Sequence, residues 1–594
     1  MNQKVSKFRI NEPPWYPIEE YLPNDYEICK DGVILIRETQ RTSTREFISG
    51  PCWISALTRS SKGREWGVVV HWIDQDENEQ TMAFPARKLT DPRSPLAGDL
   101  ASLGLKIVPG KERKLMTFLG SMNLPPGLRR RSASQLGWSD ADDGGHVFVL
   151  PNRTVGLAAE DKVVFQPEEH SPTTRTMYPS GSLEQWKRAV GKLCVGNPIL
   201  TFSLCSAFAG AILKFSGLDS GGFHFYGLSS KGKTTALQVA ASVWGCGGDP
   251  AVSEDSYIGR WNTTGNALEA TACAHNDGLL VLDEMGTCDA KDFGKVVYDL
   301  FGGKGKSRLS KNSTLQAQRA WRILGLSSGE ISVRQKIEEE SGRRAMTGHL
   351  VRLIDIPITH GVIVDTKGYS PSEFVGRIKK ACTHYFGSAG PEFLDRLVDH
   401  EPEISGLKEK VQRDVDAFEE KLAAGRELEA HQRRVVRRFA AVAVAGSLAV
   451  RFSILPFSES EVANATQSAL SAWSGDESNK SVGLRGIEAI REFIRCNPGR
   501  IRDAVISDNR ELAKWSRDLA GYYDSGNQFY LFTKKGFAEA TGGMPMDAVL
   551  NELERLGLLY TNESGRKTSK HTVDGQRPRL YAINESIMNE WEKD

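Results

Sequence analysis

The chain has 594 residues, which is enough for about three or four domains with separate hydrophobic cores. Charged residues make up 25% and hydrophobic residues 40% of the sequence, which excludes a disordered or fibrous chain. The net charge of +1 excludes a general electrostatic attraction to nucleic acid, so any such contact must come from local basic patches. The nine cysteines form no Cys-x-x-Cys pair, which predicts free thiols in a reducing compartment and no structural zinc.

The N-terminal part is predicted to be rich in β-strands. Short apolar runs such as Gly32–Arg37 and Trp66–Trp72 are separated by polar turns, which predicts a small antiparallel β domain over residues 1–95. Residues 96–190 have a mixed pattern, with a helix expected near Pro95–Leu105 and a strand at His146–Leu150. The first residues lack the apolar core of a signal peptide, so we expect a cytoplasmic protein.

An uncharged segment from Val195 to Leu213 approaches the length of a membrane span. It contains Asn197, Pro198 and several serine and threonine residues, and a glycine-rich loop follows soon after it. We therefore predict a buried helix and no membrane partner.

The glycine-rich loop from Gly227 to Thr234 matches the pattern G-x-x-x-x-G-K-[ST]. It follows the apolar run Phe223–Tyr226 and opens a helical stretch that ends before Gly245, so the pattern lies between a strand and a helix. In such loops, backbone N–H groups surround phosphate oxygens, the lysine reaches the β- and γ-phosphates, and the hydroxyl binds Mg²⁺. The residues predicted to bind ATP are Gly227, Ser229, Ser230, Lys231, Gly232, Lys233, Thr234 and Thr235.

Two carboxylates complete the predicted nucleotide site. Gly278–Leu282 is a continuous apolar run typical of a strand buried in a parallel sheet, and Asp283 and Glu284 follow it directly. Asp283, together with Thr234, is predicted to hold Mg²⁺, and Glu284 to orient and deprotonate the attacking water. Residues 191–365 are therefore predicted to form an α/β P-loop NTPase core that hydrolyses a nucleoside triphosphate.

Basic residues lie on both sides of the next predicted strand, Arg322–Leu326. Before it comes a basic segment from Lys304 to Lys311, which either contacts nucleic-acid phosphates or is a solvated surface loop. After it come Ser327 and Ser328, and further on Arg352 precedes another apolar run.

The order of these motifs resembles a bacterial and phage family with a domain of unknown function, found on mobile elements and often fused to primase domains. The resemblance covers roughly residues 27–475, and some relatives on staphylococcal cassette chromosome elements look like minichromosome-maintenance-type helicases. The matching segments are Gln135–Trp138, Phe148–Pro151, Gly227–Thr234, Trp261–Thr264, Leu282–Glu284, Gly303–Lys306, Ser327–Glu330 and Val351–Pro357.

The resemblance implies an AAA+ ring motor, with Ser328 sensing the γ-phosphate and Arg352 reaching the nucleotide of a neighbouring subunit. Arg343 and Arg344 are alternatives to Arg352, and a second acting arginine is expected within Arg433–Arg438. The basic segment corresponds to a pore hairpin, which gives Lys304, Lys306, Arg308 and Lys311 as the candidate DNA-binding residues.

The C-terminal third is predicted to contain two further domains. Residues 366–480 have a helical pattern and are interpreted as the lid of the nucleotide core. Residues 481–594 include the amphipathic stretch Met544–Leu558 and a strand at Pro578–Ile583, an order that suits a winged-helix-like domain.

The favoured function is an ATP-dependent DNA helicase or translocase, expected to be a hexamer, that acts in the replication of a mobile element or prophage. Its expected partners are single-stranded or forked DNA, copies of itself, and a primase or polymerase of the same element. One alternative is an ATPase switch or initiator that assembles on DNA without unwinding it, and another is a packaging motor acting on duplex DNA.

Overall fold

The computed structural model divides into two compact units, residues 1–470 and 471–594. It describes residues 14–140, 146–156, 163–169, 171–289, 292–307, 318–341, 345–400, 404–424, 428–475, 482–504, 518–563, 565–573 and 575–589. Both units mix helices with sheets, so the predicted α/β class is confirmed at this level.

The strands of the first unit form four sheets. They are β1 (Tyr26–Cys29), β2 (Gly32–Glu38), β3 (Ser43–Ser49), β4 (Cys52–Arg59), β5 (Gly67–Ile73), β6 (Glu79–Pro85), β7 (Arg129–Ala133), β8 (Gly137–Asp140), β9 (His146–Val149), β10 (Thr154–Val155), β11 (Val163–Phe165), β12 (Gly221–Tyr226), β13 (Gly259–Arg260), β14 (Gly278–Asp283), β15 (Ile323–Gly329) and β16 (Leu353–Pro357).

The helices of the first unit are mostly C-terminal to these β-rich segments. They are α1 (Arg87–Thr90), α2 (Leu96–Ser102), α3 (Glu112–Ser121), α4 (Pro172–Arg175), α5 (Leu183–Trp186), α6 (Lys192–Cys194), α7 (Pro198–Ser216), α8 (Lys233–Ala241), α9 (Gly265–Ala274), α10 (Phe293–Phe301), α11 (Val333–Ser341), α12 (Thr347–Leu350), α13 (Pro371–His384), α14 (Ala389–His400), α15 (Ile404–Ala423), α16 (Ala430–Arg451) and α17 (Glu459–Gly475), the last of which crosses the boundary between the units.

The N-terminal strands share one hydrophobic core with the helices that follow them. Strands β1–β3 are antiparallel, as are β4–β6, while β7 and β11 extend the second sheet in parallel beside β4. Trp53 and Val70 of this sheet are buried together with Leu115 and Phe118 of α3. The predicted β-rich segment is present, and α2 and α3 pack into the same core.

The central sheet positions the predicted nucleotide site. Its order is β13-β14-β15-β12-β16, and all its strands are parallel. The predicted apolar runs form β12, β14, β15 and β16, and their side chains are almost entirely buried because helices cover both faces. Parallel strands end together, so the sheet has one carboxyl edge, after Tyr226, Asp283, Gly329 and Pro357, and one amino edge opposite to it.

Helix α7 is the predicted apolar segment. Among the residues that the structure describes, it is the one helix long and apolar enough to cross a membrane. Its most apolar window is 89% buried inside the protein, where α7 packs against β14, β15, α8 and α16. Helix α7 is therefore a core helix, as the sequence predicts.

The second unit has its own core. Its strands are β17 (Ile501–Asp503), β18 (Gly521–Asp524), β19 (Phe529–Phe532), β20 (Leu559–Tyr560), β21 (Ser569–Lys570) and β22 (Arg579–Asn584), and its remaining helices are α18 (Val482–Cys496), α19 (Lys534–Ala540) and α20 (Met546–Arg555). The sheet order is β17-β18-β19-β22-β20, with β21 paired to β22. Ile490, Phe537 and Leu553 join the three helices in one hydrophobic cluster.

Candidate functional site at the carboxyl edge of the central sheet

The glycine-rich loop connects β12 to α8 and depends on glycine at both of its ends. Gly227 has φ +144° and Gly232 has φ +84°, values that other residues rarely adopt. A Cβ at Gly227 would lie 2.7 Å from the carbonyl oxygen of Ile358, and one at Gly232 would lie 2.6 Å from Cγ2 of Val362. The loop is also joined to the following segment by a hydrogen bond from Val362 N to the Lys231 carbonyl, at 2.9 Å. These close approaches explain the glycine positions of the motif.

Lys233 is the first residue of α8, and its side chain turns back over the loop. Its Nζ donates to the carbonyl oxygens of Gly227, at 2.8 Å, and Leu228, at 2.7 Å. Partial burial lowers the pKa of Lys233, an effect that the nearby carboxylates of Glu330, Asp283 and Glu284 oppose. The ammonium group therefore lies at the mouth of the loop, among acidic groups.

Asp283 and Ser328 lie side by side, at the carboxyl ends of adjacent strands. Ser328 Oγ donates a short hydrogen bond to Asp283 Oδ1, and both residues are buried. The backbone N–H of Glu284 points to the same pair, 3.1 Å from Asp283 Oδ1 and 3.4 Å from Ser328 Oγ. Glu284 itself has φ +63°, an uncommon conformation for a non-glycine residue, and its side chain is exposed. The strand thus ends in one buried and one exposed carboxylate.

These groups line one cleft of about 870 Å³, a volume within the range of small-molecule sites. The fold brings together almost the whole predicted nucleotide set, namely Ser229, Ser230, Lys231, Gly232, Lys233, Thr234, Thr235, Asp283, Glu284 and Ser328. The Thr234 hydroxyl and the Asp283 carboxylate are oxygen donors of the kind that Mg²⁺ prefers. Gly227 stands behind them and accepts the hydrogen bond from Lys233.

Sequence reasoning left several lining residues without a role. Glu330 accepts a hydrogen bond from Ser229 Oγ at 2.8 Å and so joins the end of β15 to the loop. Pro371, Val375 and Lys379 reach the cleft from α13 at intervals of four residues, which places them on one face of that helix. Glu330 could have been found from its position after Ser328, whereas no local signal marks α13.

Arg352 lies at the amino edge, away from this cleft. It immediately precedes β16, and its Nη1 donates to the Gly348 carbonyl at 2.8 Å. The guanidinium stacks 4.1 Å from the ring centroid of Tyr298. Arg352 therefore cannot serve the cleft of its own chain. Arg343 and Arg344, its alternatives, lie outside the described residues.

The arginine run on α16 separates into different environments. Arg437 Nη1 pairs with Asp416 and Glu419 of α15, both at 2.6 Å. Arg438 is buried at the amino edge, where it donates to the carbonyl oxygens of Val351, Asp219 and Ser220. Both terminal nitrogens of Arg438 are thus bonded inside the fold, which argues against Arg438 as the second acting arginine. The expectation of such an arginine within Arg433–Arg438 stays a prediction.

Lys304 and Lys306 lie on one arm of an antiparallel pair before β15. The backbones of Lys304 and Ala320 form an isolated antiparallel β-bridge, and Gly305 N donates to the Arg319 carbonyl at 2.8 Å. Both lysines are exposed. Arg308 and Lys311, the other candidate DNA-binding residues, lie outside the described residues.

Comparison with solved structures and family models supports the predicted resemblance. The chain is similar to a structure titled "SCCmec type IV Cch - active helicase", with 19% sequence identity, a TM-score of 0.66, and coverage of 96% of this chain and 99% of that one. An apo structure of the NrS-1 C-terminal region matches with 8% identity over 89% of this chain and 95% of that one, but its TM-score of 0.30 is too low to indicate a common fold. No curated protein matches the sequence significantly.

The family model that matches covers about half of the chain and ends on the arm before β15, so it includes three strands of the central sheet, β12, β13 and β14. Its description is "Domain of unknown function (DUF927)", and the matched residues are 26–320. Residues 26–320 thus match the DUF927 family model, and the fold of the chain is similar to that of the solved helicase structure.

Proposed function

We propose that the protein is an ATP-dependent DNA helicase of the AAA+ type, working as a ring in the replication of a mobile genetic element or prophage. One observation carries the proposal: Lys233, Thr234, Asp283, Glu284 and Ser328, from three separate segments, line one cleft at the carboxyl edge of a parallel sheet. Open α/β sheets bind their ligands at this edge.

The cleft suits a nucleoside triphosphate with Mg²⁺. The loop offers backbone N–H groups at the start of α8, and Lys233 can exchange its two carbonyl partners for phosphate oxygens. Thr234 and Asp283 would hold Mg²⁺, which when bound neutralises the charge on the phosphate oxygens. Ser328 keeps one Asp283 oxygen in a fixed direction through their hydrogen bond.

Glu284 is suited to the proton-transfer step. Its backbone is fixed by hydrogen bonds to Asp283 and Ser328, while its side chain remains exposed in the cleft. An exposed carboxylate can accept a proton from an attacking water, while the Asp283 carboxylate is engaged by its hydrogen bond from Ser328. We therefore assign Glu284 as the general base of hydrolysis.

The position of Arg352 supports an assembly of several copies. Arg352 lies at the amino edge, and the loop of the same chain lies at the opposite edge of the sheet. A ring, by analogy a hexamer, brings the amino edge of one copy to the carboxyl edge of the next and lets Arg352 contact the γ-phosphate there. Helices α13–α17 would form the lid, since α13 reaches the cleft.

The exposed lysines of the paired arm support a DNA contact. Lys304 and Lys306 would bind the phosphate backbone as point charges, which needs no base sequence. The second unit combines three helices with an antiparallel sheet, and we assign it a winged-helix-like role in contacting DNA or a primase or polymerase of the same element.

The proposal is tested by ATP-dependent unwinding of a forked duplex, with Lys233→Ala and Lys306→Ala measured beside the wild type. We expect both variants to lose unwinding, and only Lys233→Ala to lose nucleotide binding. Lys295→Ala serves as a control, because Lys295 is an exposed lysine of α10 paired with Asp299 at 3.0 Å.

A second candidate function is an ATPase switch or initiator that assembles on DNA without unwinding it. The nucleotide cleft alone is compatible with it, because that site does not distinguish motors from switches. ATP hydrolysis without strand separation on any fork would favour this candidate and would contradict the helicase.

A further inference from the structure

Trp261 is hydrogen-bonded to the ends of two central strands, β14 and β15, although its motif has no role in the proposed chemistry. It follows the edge strand β13, and its side chain is fully buried. Its backbone N–H donates to the Asp283 carbonyl at 3.2 Å, and its indole Nε1–H donates to Ser327 Oγ at 2.8 Å. One residue thus joins the end of β14, which carries Asp283, to the end of β15, which carries Ser328.

A chain of hydrogen bonds runs from Trp261 through Ser327 to His224, and each group in it donates to the next. His224 Nε2 lies 3.0 Å from the Ile331 carbonyl, which can only accept, so His224 donates there and its Nδ1 accepts from Ser327 Oγ at 2.9 Å. Burial lowers the pKa of His224 to about 4, which keeps the ring neutral as this pattern requires. We call Trp261, Ser327 and His224 the Trp261 network.

The network reaches the glycine-rich loop at its far end. Ile331 follows Glu330, whose carboxylate accepts from Ser229 Oγ at 2.8 Å. Gly329 packs directly on His224, since a Cβ there would lie 3.0 Å from the ring. A shift of Trp261 would therefore move Ser327, its neighbour Ser328 and the segment that contacts the loop.

The other end of the network adjoins the arm that carries the exposed lysines. Helix α9 begins four residues after Trp261 and is capped by Thr264, whose side chain accepts from Ala267 N at 3.3 Å. Lys306 Nζ lies 3.8 Å from a Cβ built on Gly265, the first residue of α9, and Gly305 approaches the Glu269 carboxylate of the same helix. Lys306 thus lies near the start of α9, and α9 shares a buried cluster with Trp261 through Leu268 and Ala272.

We propose that Trp261 is a positioning residue, which holds Asp283 and Ser328 in place and makes their placement depend on DNA bound at Lys306. This inference rests on the proposed function. It assigns a role to a motif at Trp261–Thr264 that is not among the residues lining the cleft. Trp261 is the link because it is hydrogen-bonded to the ends of β14 and β15 and belongs to the same buried cluster as Leu268 and Ala272 of α9.

The test is ATP hydrolysis by the full-length chain with and without a single-stranded oligothymidine, for the wild type, Trp261→Phe and Ser327→Ala. Phenylalanine keeps an aromatic ring in the core and removes only the indole donor. We expect the maximal rate to fall about tenfold in both variants, as for other residues that support metal-holding groups. We also expect half-saturation by Mg²⁺ to need more metal, stimulation by the oligonucleotide to be lost, and nucleotide binding without Mg²⁺ to be unchanged.

Trp186→Phe is a matched control. Trp186 is also fully buried, and its Nε1–H also donates to a serine, Ser242 Oγ, at 2.9 Å, but it lies away from the cleft. Trp186→Phe also removes a buried hydrogen bond from an indole to a serine, so any general effect of that loss on folding appears in both tryptophan variants. Thermal unfolding of all variants measures that effect directly.

Three results separate the possible failures. A Trp261→Phe protein that keeps the wild-type rate, Mg²⁺ dependence and stimulation overturns the inference and leaves the helicase proposal standing. A Trp186→Phe protein with the same losses overturns it too, because the effect is then only structural. A wild type that hydrolyses no ATP overturns the proposed function, and the inference with it.

Discussion

The two edges of the central sheet carry similar residue types for different purposes. At the amino edge, the buried Asp277 accepts from Trp138 N and Arg322 Nη1, both at 3.1 Å, and Arg438 donates to three carbonyls. At the carboxyl edge, Lys233 donates to carbonyls of its own loop, and Glu284 is exposed. Charges that the fold satisfies with fixed partners are structural, while charges with replaceable partners facing a cleft are available to a ligand.

The largest expected effect concerns Arg352, which lies at the amino edge but is proposed to act on the next copy. We expect Arg352→Ala to lower ATP turnover about a thousandfold, the range of arginines that contact a transferring phosphoryl group. Lys233→Ala should be inactive as well, but an equimolar mixture of the two variants should recover activity. In the mixture, an intact loop meets an intact Arg352 across some interfaces. ATP turnover measured on the mixture tests whether Arg352 acts on the neighbouring copy. If activity does not recover, Arg352 has a structural role through its contact with Tyr298 and does not act on the next copy.

Exchanging one carboxylate at each edge for its amide compares the edges directly. Asp283→Asn should lower the maximal rate of ATP hydrolysis by about a hundred- to thousandfold, because the charge proposed to hold Mg²⁺, and with it the stabilisation of the phosphate oxygens, is lost. Asp277→Asn should leave the rate unchanged and lower the free energy of unfolding by about 1–3 kcal/mol, since an amide N–H₂ would face the donors of Trp138 or Arg322. Steady-state kinetics and urea denaturation separate the two effects. A stable but inactive Asp277→Asn protein would contradict the division between the edges.

The buried arginine gives the largest expected effect on stability. Arg438→Met keeps an unbranched side chain but removes the guanidinium, which leaves the carbonyls of Val351, Asp219 and Ser220 without that donor. We expect the free energy of unfolding to fall by about 3–5 kcal/mol, as when one partner of a buried charged group is removed. Arg433→Met is the control, because Arg433 is exposed on the same helix. Equal thermal shifts in the two variants would show that the buried contacts contribute little.

The smallest expected effect is the change in the free energy of unfolding that one histidine causes over one pH unit. Burial lowers the pKa of both His224 and His275 to about 4, below the ordinary value of 6.5. The unfolded chain therefore binds these protons first, so stability is fully present above pH 6.5 and is lost as the pH falls towards 4. Each histidine should contribute up to about 1.4 kcal/mol per pH unit within this window. Urea denaturation at several pH values measures the slope, which His224→Gln should reduce; an unchanged slope would show that His224 does not cause it.

Sequence patterns located the loop, the acidic strand and Ser328 because each belongs to a contiguous segment. An apolar run that ends in a polar residue predicts a parallel strand and, with it, the edge where its last side chain lies. The same reasoning identified the strands β12, β14, β15 and β16 and the buried helix α7. The five predicted domains stay a prediction, since the described structure divides into two compact units.

Other residues could not be assigned from the sequence because their roles depend on distant partners. Arg437 and Arg438 are neighbours with the same side chain, yet one pairs with carboxylates of α15 and the other is buried against backbone carbonyls. Trp261 resembles any core aromatic residue until Ser327, 66 positions later, is found at its indole nitrogen.

The sequence by itself determined that a phosphate-loop pattern and an acidic strand occur in the order of a nucleotide site, because each is a short segment with its own backbone requirements. Tertiary structure decided which charges face the cleft and which are satisfied inside the fold. It also decided that Arg352 and Lys233 lie at opposite edges of one sheet. Strand order and hydrogen-bond partners are set by packing between segments far apart in the chain, and no local pattern encodes them.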